Sequence, residues 1–264
     1  MKFTKMQGLG NDYLYVFGEV PEDIVPLCVS LSERHFGAGS DGMVFISKSD
    51  CADFRMRIFN ADGSEAMMCG NGIRCVGKYV HDKGYTDKTE LDVETLSGIK
   101  HLSLNVEDGK VKTVAVNMGR AKVGAEAKID VDGKTVTYIP INVGNPHAVV
   151  FVDDIETAPL TTLGPLMERH PAFPGGVNVE FVAPLGDSRL KMRVWERGSG
   201  VTMACGTGAC ASASAAVMRG ICAPDTSVAL ELDGGELTIT VSDDYEVTMT
   251  GPAEFVYEGD TEIC

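Results

Sequence analysis

The chain has 264 residues, 44% hydrophobic and 23% charged, enough apolar material for one large core or two smaller ones. Its formal net charge of −15 and pI of about 4.7 exclude nucleic acid and anionic membranes as natural partners, because both surfaces would repel it. No apolar h-region follows Met1, no run approaches the ~18 apolar residues of a membrane span, and the eight cysteines are expected to be reduced in the cytoplasm.

In chain order, an opening strand breaks at Gly8-Leu9-Gly10-Asn11-Asp12 and resumes through the β-prone Tyr13-Leu14-Tyr15-Val16-Phe17. A helix is predicted over 22–36, after Pro21, with Val25, Leu27, Cys28 and Leu31 as its apolar stripe. Gly37-Ala38-Gly39-Ser40-Asp41-Gly42 spells G-x-G-x-x-G, but it precedes the strand 43–46 instead of following a strand and opening a helix. It reads as a turn. A strand over 53–59 leads through the polar loop 60–65 to a helix over 70–83. Segments 89–96, 99–106 and 110–117 alternate as a meander that turns at Asp108-Gly109.

The pattern restarts near Gly119. Val131 to Ile141 reads as a hairpin turning at Asp132-Gly133, and Gly144-Asn145-Pro146-His147 leads into a strand over 148–152. A short helix is predicted over 161–169, strands over 177–182 and 190–195, and a helix over 206–219. Strands near 227–231, 235–241, 245–250 and 253–257 close the chain. Helices mixed with mostly antiparallel strands imply an α+β fold.

The second half copies the first. At an offset of 136 residues, Phe54-Arg55-Met56-Arg57-Ile58-Phe59 lies on Leu190-Lys191-Met192-Arg193-Val194-Trp195, and Cys69-Gly70-Asn71-Gly72 lies on Cys205-Gly206-Thr207-Gly208. Gly84 and Gly220 still match. Each half therefore reads as strand, polar loop, cysteine, and a helix that ends at glycine. A lone cysteine before glycine is usually a small buried hydrophobe; two in register at helix mouths suggest a site.

A helix N-terminus offers unpaired N–H groups and the positive end of the macrodipole, about +0.5 charge, so thiols there are expected to have depressed pKa values. Flanking glycines let an anion approach. Two thiols facing one carboxylate-bearing carbon can invert it, one removing the α-proton while the other returns a proton from the opposite face. Metal binding is not expected: the spacings Cys69-x5-Cys75 and Cys205-x4-Cys210 are not a C-x2-C clasp, and histidines number only five. Without further information Asn11, Asn60 and Asn145 read equally as turn residues beside Gly or Pro.

Six motifs, in order, resemble the diaminopimelate epimerase family over nearly the whole chain. They are Gly8-Leu9-Gly10-Asn11-Asp12-Tyr13, Phe59-Asn60-Ala61-Asp62-Gly63-Ser64, Met68-Cys69-Gly70-Asn71-Gly72-Ile73-Arg74-Cys75, Gly144-Asn145-Pro146-His147, Val177-Asn178-Val179-Glu180-Phe181, and Trp195-Glu196-Arg197-Gly198-Ser199-Gly200 leading to Ala204-Cys205-Gly206-Thr207-Gly208. The resemblance implies two pseudo-symmetric domains, each a mostly antiparallel β-barrel-like sheet wrapped around a central helix, with the site in the cleft between them. Domains are expected at 1–117, with 252–264 returning to it, and at 118–251.

It further implies a cofactor-independent epimerase of diaminopimelate, with no metal. Cys69 and Cys205 correspond to the catalytic bases, Cys205 facing the LL isomer and Cys69 the meso isomer. Backbone N–H groups at Gly70-Asn71 and Gly206-Thr207 are implied to hold the reacting carboxylate. Asn60, Asn178 and Arg197 are implied to bind the distal amino-acid end, with Glu196 holding an ammonium, while Asn11, Asn145 and His147 complete the pocket. Gly42, where some members carry Gln, is given no role. A homodimer is compatible with the sequence. A proline racemase or hydroxyproline epimerase of the same fold is the alternative enzyme, although proline has no second head group for Asn60, Asn178 and Arg197. A non-catalytic amino-acid-binding protein is the alternative of another class, and it would need neither thiol.

Overall fold

The structure is a computed structural model that describes residues 1–262. The chain divides into two compact units, Met1–Val116 with the segment from Gly251 onward, and Asn117–Thr250. Position 264 and the last part of the returning segment expected over 252–264 lie outside the described residues.

In the first unit, strand Lys2–Gly8 pairs antiparallel with Asn11–Phe17. The expected break is the tip of a hairpin: Leu9 and Gly10 both take positive φ, 58° and 84°, the geometry of a type I′ turn. Helix α1, Ile24–Ser32, then carries the chain to Gly42–Ser47, which lies parallel to Asn11–Phe17. This helix is shorter than the predicted span, because the residues before Ile24 form a turn and Glu33 leaves helical geometry with ψ at 123°. Leu27, Cys28 and Leu31 of its predicted stripe are buried, but Val25, in the first turn, is half exposed.

Strand Phe54–Asn60 follows antiparallel to Gly42–Ser47, and helix α2, Gly70–Asp82, crosses over to Glu90–Thr95, parallel to Phe54–Asn60. Gly98–Glu107 and Lys110–Arg120 extend the sheet as the predicted meander. At the far side of Lys2–Gly8, the returning strand Glu254–Asp260 pairs with it antiparallel.

The second unit repeats this order. Lys134–Asn142 pairs antiparallel with Pro146–Phe151, which lies parallel to Asn178–Gly186 after α3, Leu160–Glu168. Asn178–Gly186 pairs antiparallel with Arg189–Glu196, and α4, Gly206–Met218, leads to the parallel strand Ser227–Leu232. Gly235–Val241 and Glu246–Pro252 complete a second meander. Strand Lys122–Val123 also pairs with Lys134–Asn142, at the place taken in the first unit by the returning strand. The strand Ala127–Val131, which forms a hairpin with Lys134–Asn142, is an addition.

The repeat holds to the single residue. Two short strands that the sequence did not suggest, Glu65–Ala66 and Gly200–Val201, fold back on the long strands, and the pair Phe59–Glu65 recurs as Trp195–Val201. Both long helices are enclosed by their sheets. Every residue of α2 from Gly70 to Val80 is buried, as are Gly206 and Gly208 to Ala216 of α4. Small side chains make that possible: a Cβ at Gly77 would stand 2.9 Å from the Leu104 methyl. Such packing gives a stiff element on which to mount a reacting group.

Candidate active site

Cys69 is the N-cap of α2, in extended geometry (φ −134°, ψ 120°), and its Sγ accepts the Gly72 N–H at 3.3 Å. Cys205 is the N-cap of α4 (φ −120°, ψ 106°), and its Sγ accepts the Gly208 N–H at 3.3 Å. A sulfur thus takes the place usually held by a Ser, Thr, Asp or Asn oxygen. The N–H groups at the start of each helix, at Gly70-Asn71 and Gly206-Thr207, point along the dipole out of the helix end. Both mouths are therefore built to meet an anion.

Around the first mouth, the Cys69 thiol donates to Asn11 Oδ1 at 3.2 Å. Asn11 in turn donates through Nδ2 to Asp41 Oδ2 at 2.7 Å, and Arg34 bridges Asp41 and Asp12 at 2.8 and 3.0 Å. Lys5 pairs with Asp12 at 2.7 Å. Asn71 accepts from the fully buried Arg74 at 3.0 Å. The Tyr15 hydroxyl donates to the Gly72 carbonyl at 3.1 Å.

The second mouth is drier and carries more titratable groups. Cys205 is 6% exposed, and the Thr207 hydroxyl lies 3.5 Å from its sulfur. Asn145 Nδ2 donates to Thr207 Oγ1 at 3.3 Å, and Asn145 Oδ1 stands 2.9 Å from His147 Nε2. His147 Nδ1 is 2.6 Å from Glu180 Oε1, with both side chains fully buried. Glu196 accepts from Thr202, and its charge acts on the Cys205 thiol.

These surroundings reverse one expectation. Burial pushes the Cys205 thiol well above its ordinary range, with Glu196 and Glu180 adding to the effect; the hydrogen bonds from Thr207 and the Gly208 N–H only moderate it. The helix mouth alone does not lower this thiol, because desolvation of a thiolate outweighs half a dipole charge. Burial likewise raises Glu196, and Glu180 adds to the rise.

The residues expected at the distal end divide. Asn178 is buried, accepts the Arg197 N–H at 2.8 Å and faces Pro146 O at 3.4 Å. The Arg197 guanidinium is exposed and donates to Gly175 O at 3.0 Å. Asn60 closes its own loop, donating to Ser64 Oγ at 3.0 Å. Asn178 and Glu196 flank the last registered pair of their strands, Val179–Trp195, and match Gly42 and Asn60 of the first unit, which are paired. A Cβ at Gly42 would lie 1.9 Å from Phe59 O, so this strand admits no side chain there.

Glu180, Asp41 and Tyr15 carry much of this geometry and were given no role from sequence. Only Glu180 left a signal, as a lone carboxylate in the apolar run Val177–Val182. Among the described residues no cluster of three or more His, Cys, Asp or Glu could hold a metal ion, and none of the seven described cysteines is in a disulfide.

A family model described as diaminopimelate epimerase matches residues 3–124 and 139–256. A diaminopimelate epimerase from Acetivibrio thermocellus is 48% identical over 279 residues, covering 100% of this chain and 99% of its own. One from Phocaeicola vulgatus is 51% identical over 278 residues, with the same coverage. Among solved structures, a probable proline racemase from Agrobacterium radiobacter matches with a TM-score of 0.74 at 17% identity, over 100% of this chain and 93% of that one. A phenazine biosynthesis protein from Bacillus anthracis matches with a TM-score of 0.76 at 16% identity, over 100% and 99%. Identities this low bear on the fold.

Proposed function

The chain belongs to the diaminopimelate epimerase family, and from that premise we propose that it interconverts LL- and meso-diaminopimelate in lysine and peptidoglycan biosynthesis, using its own thiols as the acid and base. The observation that carries the reading is the duplicated cysteine cap: two sulfurs in the same backbone geometry, each on the first turn of an enclosed helix. Inversion requires a group on either side of the α-carbon. One thiolate takes the α-proton, the electron pair passes into the adjacent carboxylate, and the opposite thiol delivers a proton to the other face.

An α-proton is a far weaker acid than a thiol, so the charge that develops on the carboxylate must meet fixed donors. The N–H groups at Gly70-Asn71 and Gly206-Thr207 supply them, each worth roughly 3 kcal/mol in a dry site. Cys205 faces the LL isomer and Cys69 the meso isomer. Asn11, Asn145 and His147 shape the pocket at the reacting centre. Asn178, Asn60 and the Arg197 fork take the distal carboxylate, and Glu196 the distal ammonium. The raised pKa of Glu196 suits a site that gains its counter-charge only with substrate.

A small-molecule partner and a cytoplasmic location fit the same reading. The acidic surface is consistent with both, and among the described residues no helix is long and apolar enough to cross a membrane. Incubation with LL-diaminopimelate in D2O, followed by chiral chromatography and mass analysis, tests the function. The meso isomer should appear carrying one solvent deuterium while the remaining LL isomer stays largely protiated early on. No meso product, or product that retains the substrate's hydrogen, would overturn it.

A further inference from the structure

The last residue of α3, Glu168, carries a negative charge at a helix C-terminus, where it opposes the macrodipole. Its contacts explain the placement. Oε2 accepts the indole N–H of Trp195 at 2.7 Å, and Oε1 accepts the Gly198 N–H at 2.9 Å. Indole and backbone nitrogens only donate, so the carboxylate is the acceptor in both bonds and neither direction hangs on an assigned proton. The Trp195 bond, together with that of Gly198, holds the Glu168 carboxyl below its ordinary range. Gly164, one turn earlier in α3, lets the helix lie on the tryptophan: a Cβ there would stand 2.7 Å from Trp195 Cβ.

Between the two donors runs a turn. The Ser199 N–H bonds to Glu196 O at 3.1 Å and Gly198 takes φ 80°, which puts Arg197 at the second position of a type II turn. Asn178 Oδ1 accepts the Arg197 N–H at 2.8 Å, so the turn is pinned both by α3 and by strand Asn178–Gly186. The Arg197 stem lies over Gly176, where a Cβ would be 2.9 Å from Arg197 Cδ, and its guanidinium donates to Gly175 O at 3.0 Å. Glu196 is held separately, by Thr202.

The first unit has the same elements without this clamp. At the repeat offset of 136, helix Ile24–Ser32 lies on Leu160–Glu168 residue for residue, and Glu168, Trp195 and Arg197 fall on Ser32, Phe59 and Ala61. Phenylalanine has no N–H to give, and alanine has no cation to place. Carboxylate, indole and guanidinium are present together in one half and missing together in the other, so the clamp follows the arginine and not the fold. We propose that Glu168 is a positioning residue that fixes the turn Glu196–Ser199 and so presents Arg197 to the distal carboxylate of the substrate. This rests on the reading of Arg197 as a distal contact. A turn held before substrate arrives spares the cost of ordering it on binding.

The test is a double-mutant cycle on affinity, measured by calorimetry on the full chain with an equilibrated mixture of LL- and meso-diaminopimelate, so that turnover adds no heat. Glu168→Gln sets an NH2 group against one of the two donors and should weaken binding about tenfold, as for a lost hydrogen bond to a charged group. Arg197→Ala should weaken it about thirtyfold, and the double variant should stay within about twofold of Arg197→Ala. The chain has one tryptophan, so a single indole N–H resonance reports the bond itself; it should move upfield in Glu168→Gln. Wild-type affinity in Glu168→Gln, an indole resonance that does not move, or losses that multiply in the double variant overturn the proposal, since a residue that only supported the fold would act independently of Arg197. If Glu168→Gln does not fold, Trp195→Phe, which removes one donor and leaves the other, takes its place in the cycle under the same criterion. Wild-type affinity in Arg197→Ala would remove Arg197 from the site and the proposal with it. A chain that bound diaminopimelate without inverting it would lose the function and keep the clamp.

Discussion

The two helix mouths share backbone geometry and differ in what holds the neighbouring asparagine. Asn11 gives its amide N–H to the Asp41 carboxylate and so turns its oxygen toward Cys69. Asn145 has its oxygen on the His147 ring and turns its amide N–H toward Thr207, beside Cys205. With a carboxylate beside it in one unit and an imidazole in the other, the same side chain meets the Cys69 sulfur with its oxygen but gives its N–H to Thr207, two residues from Cys205. Duplication alone would yield two equivalent thiols. A two-base reaction needs an acid and a base at any moment, and the difference lies in the second layer of residues while the caps stay alike.

The largest effect expected is on the shared part. Cys69→Ala and Cys205→Ala should each lower epimerisation by about a thousandfold or more, since each removes a proton-transfer group. Chiral chromatography over long incubations measures it, and a variant within tenfold of wild type would break the equivalence of the caps.

Next in size is the alkaline effect of one buried thiol that has no counterpart in the second unit. Burial pushes the Cys75 thiol up from 9.0 to about 11, and Ala211 stands at the matching position of α4. The folded chain keeps this proton up to about pH 11, whereas the unfolded chain releases it above 9. The contribution is therefore complete below pH 9 and is lost as pH rises through 11, about 3 kcal/mol for a shift of that size. Melting curves across this window should fall less steeply for Cys75→Ala than for wild type. Parallel curves would remove Cys75 as the cause.

The distal end should also be one-sided. Only the second unit puts an Arg after the strand position matched by Asn60 and Glu196, so Arg197→Ala should weaken kcat/KM for diaminopimelate by about 2 kcal/mol, roughly thirtyfold. Unchanged kinetics would take Arg197 out of the site.

The smallest effect concerns access and ionisation. Cys69 is partly exposed, whereas Cys205 is buried with a raised thiol pKa. Iodoacetamide at neutral pH should therefore alkylate Cys69 about tenfold faster, as read by peptide mapping. Equal rates would mean that the two mouths differ less in solution than their surroundings imply.

Most of the elements were legible because their periodicities are local. The cysteine helices, both meanders and the turns at Asp108-Gly109 and Asp132-Gly133 are written in alternation and in Gly positions, and the structure has them within a few residues. The misses are of one kind. The short strands Glu65–Ala66 and Gly200–Val201 have no pattern of their own and exist only because a long strand lies opposite. Spacing alone puts Val25 on the buried stripe of α1, but in the structure Val25 is exposed in the first turn while Ile24 and Leu27 pack on the core.

The sequence by itself determined the repeat, the two capping cysteines and the glycines that keep the helix mouths open, because these depend on residue type at fixed local spacing. Tertiary structure decided which way the mouths lean. Glu180 reaches His147 from 33 residues away and Asp41 reaches Asn11 from 30, and neither spacing has a local signature. The raised pKa of Cys205 likewise comes from burial and from two carboxylates on other strands. Desolvation and charge–charge interaction depend on distance through space, and only the folded chain sets those distances.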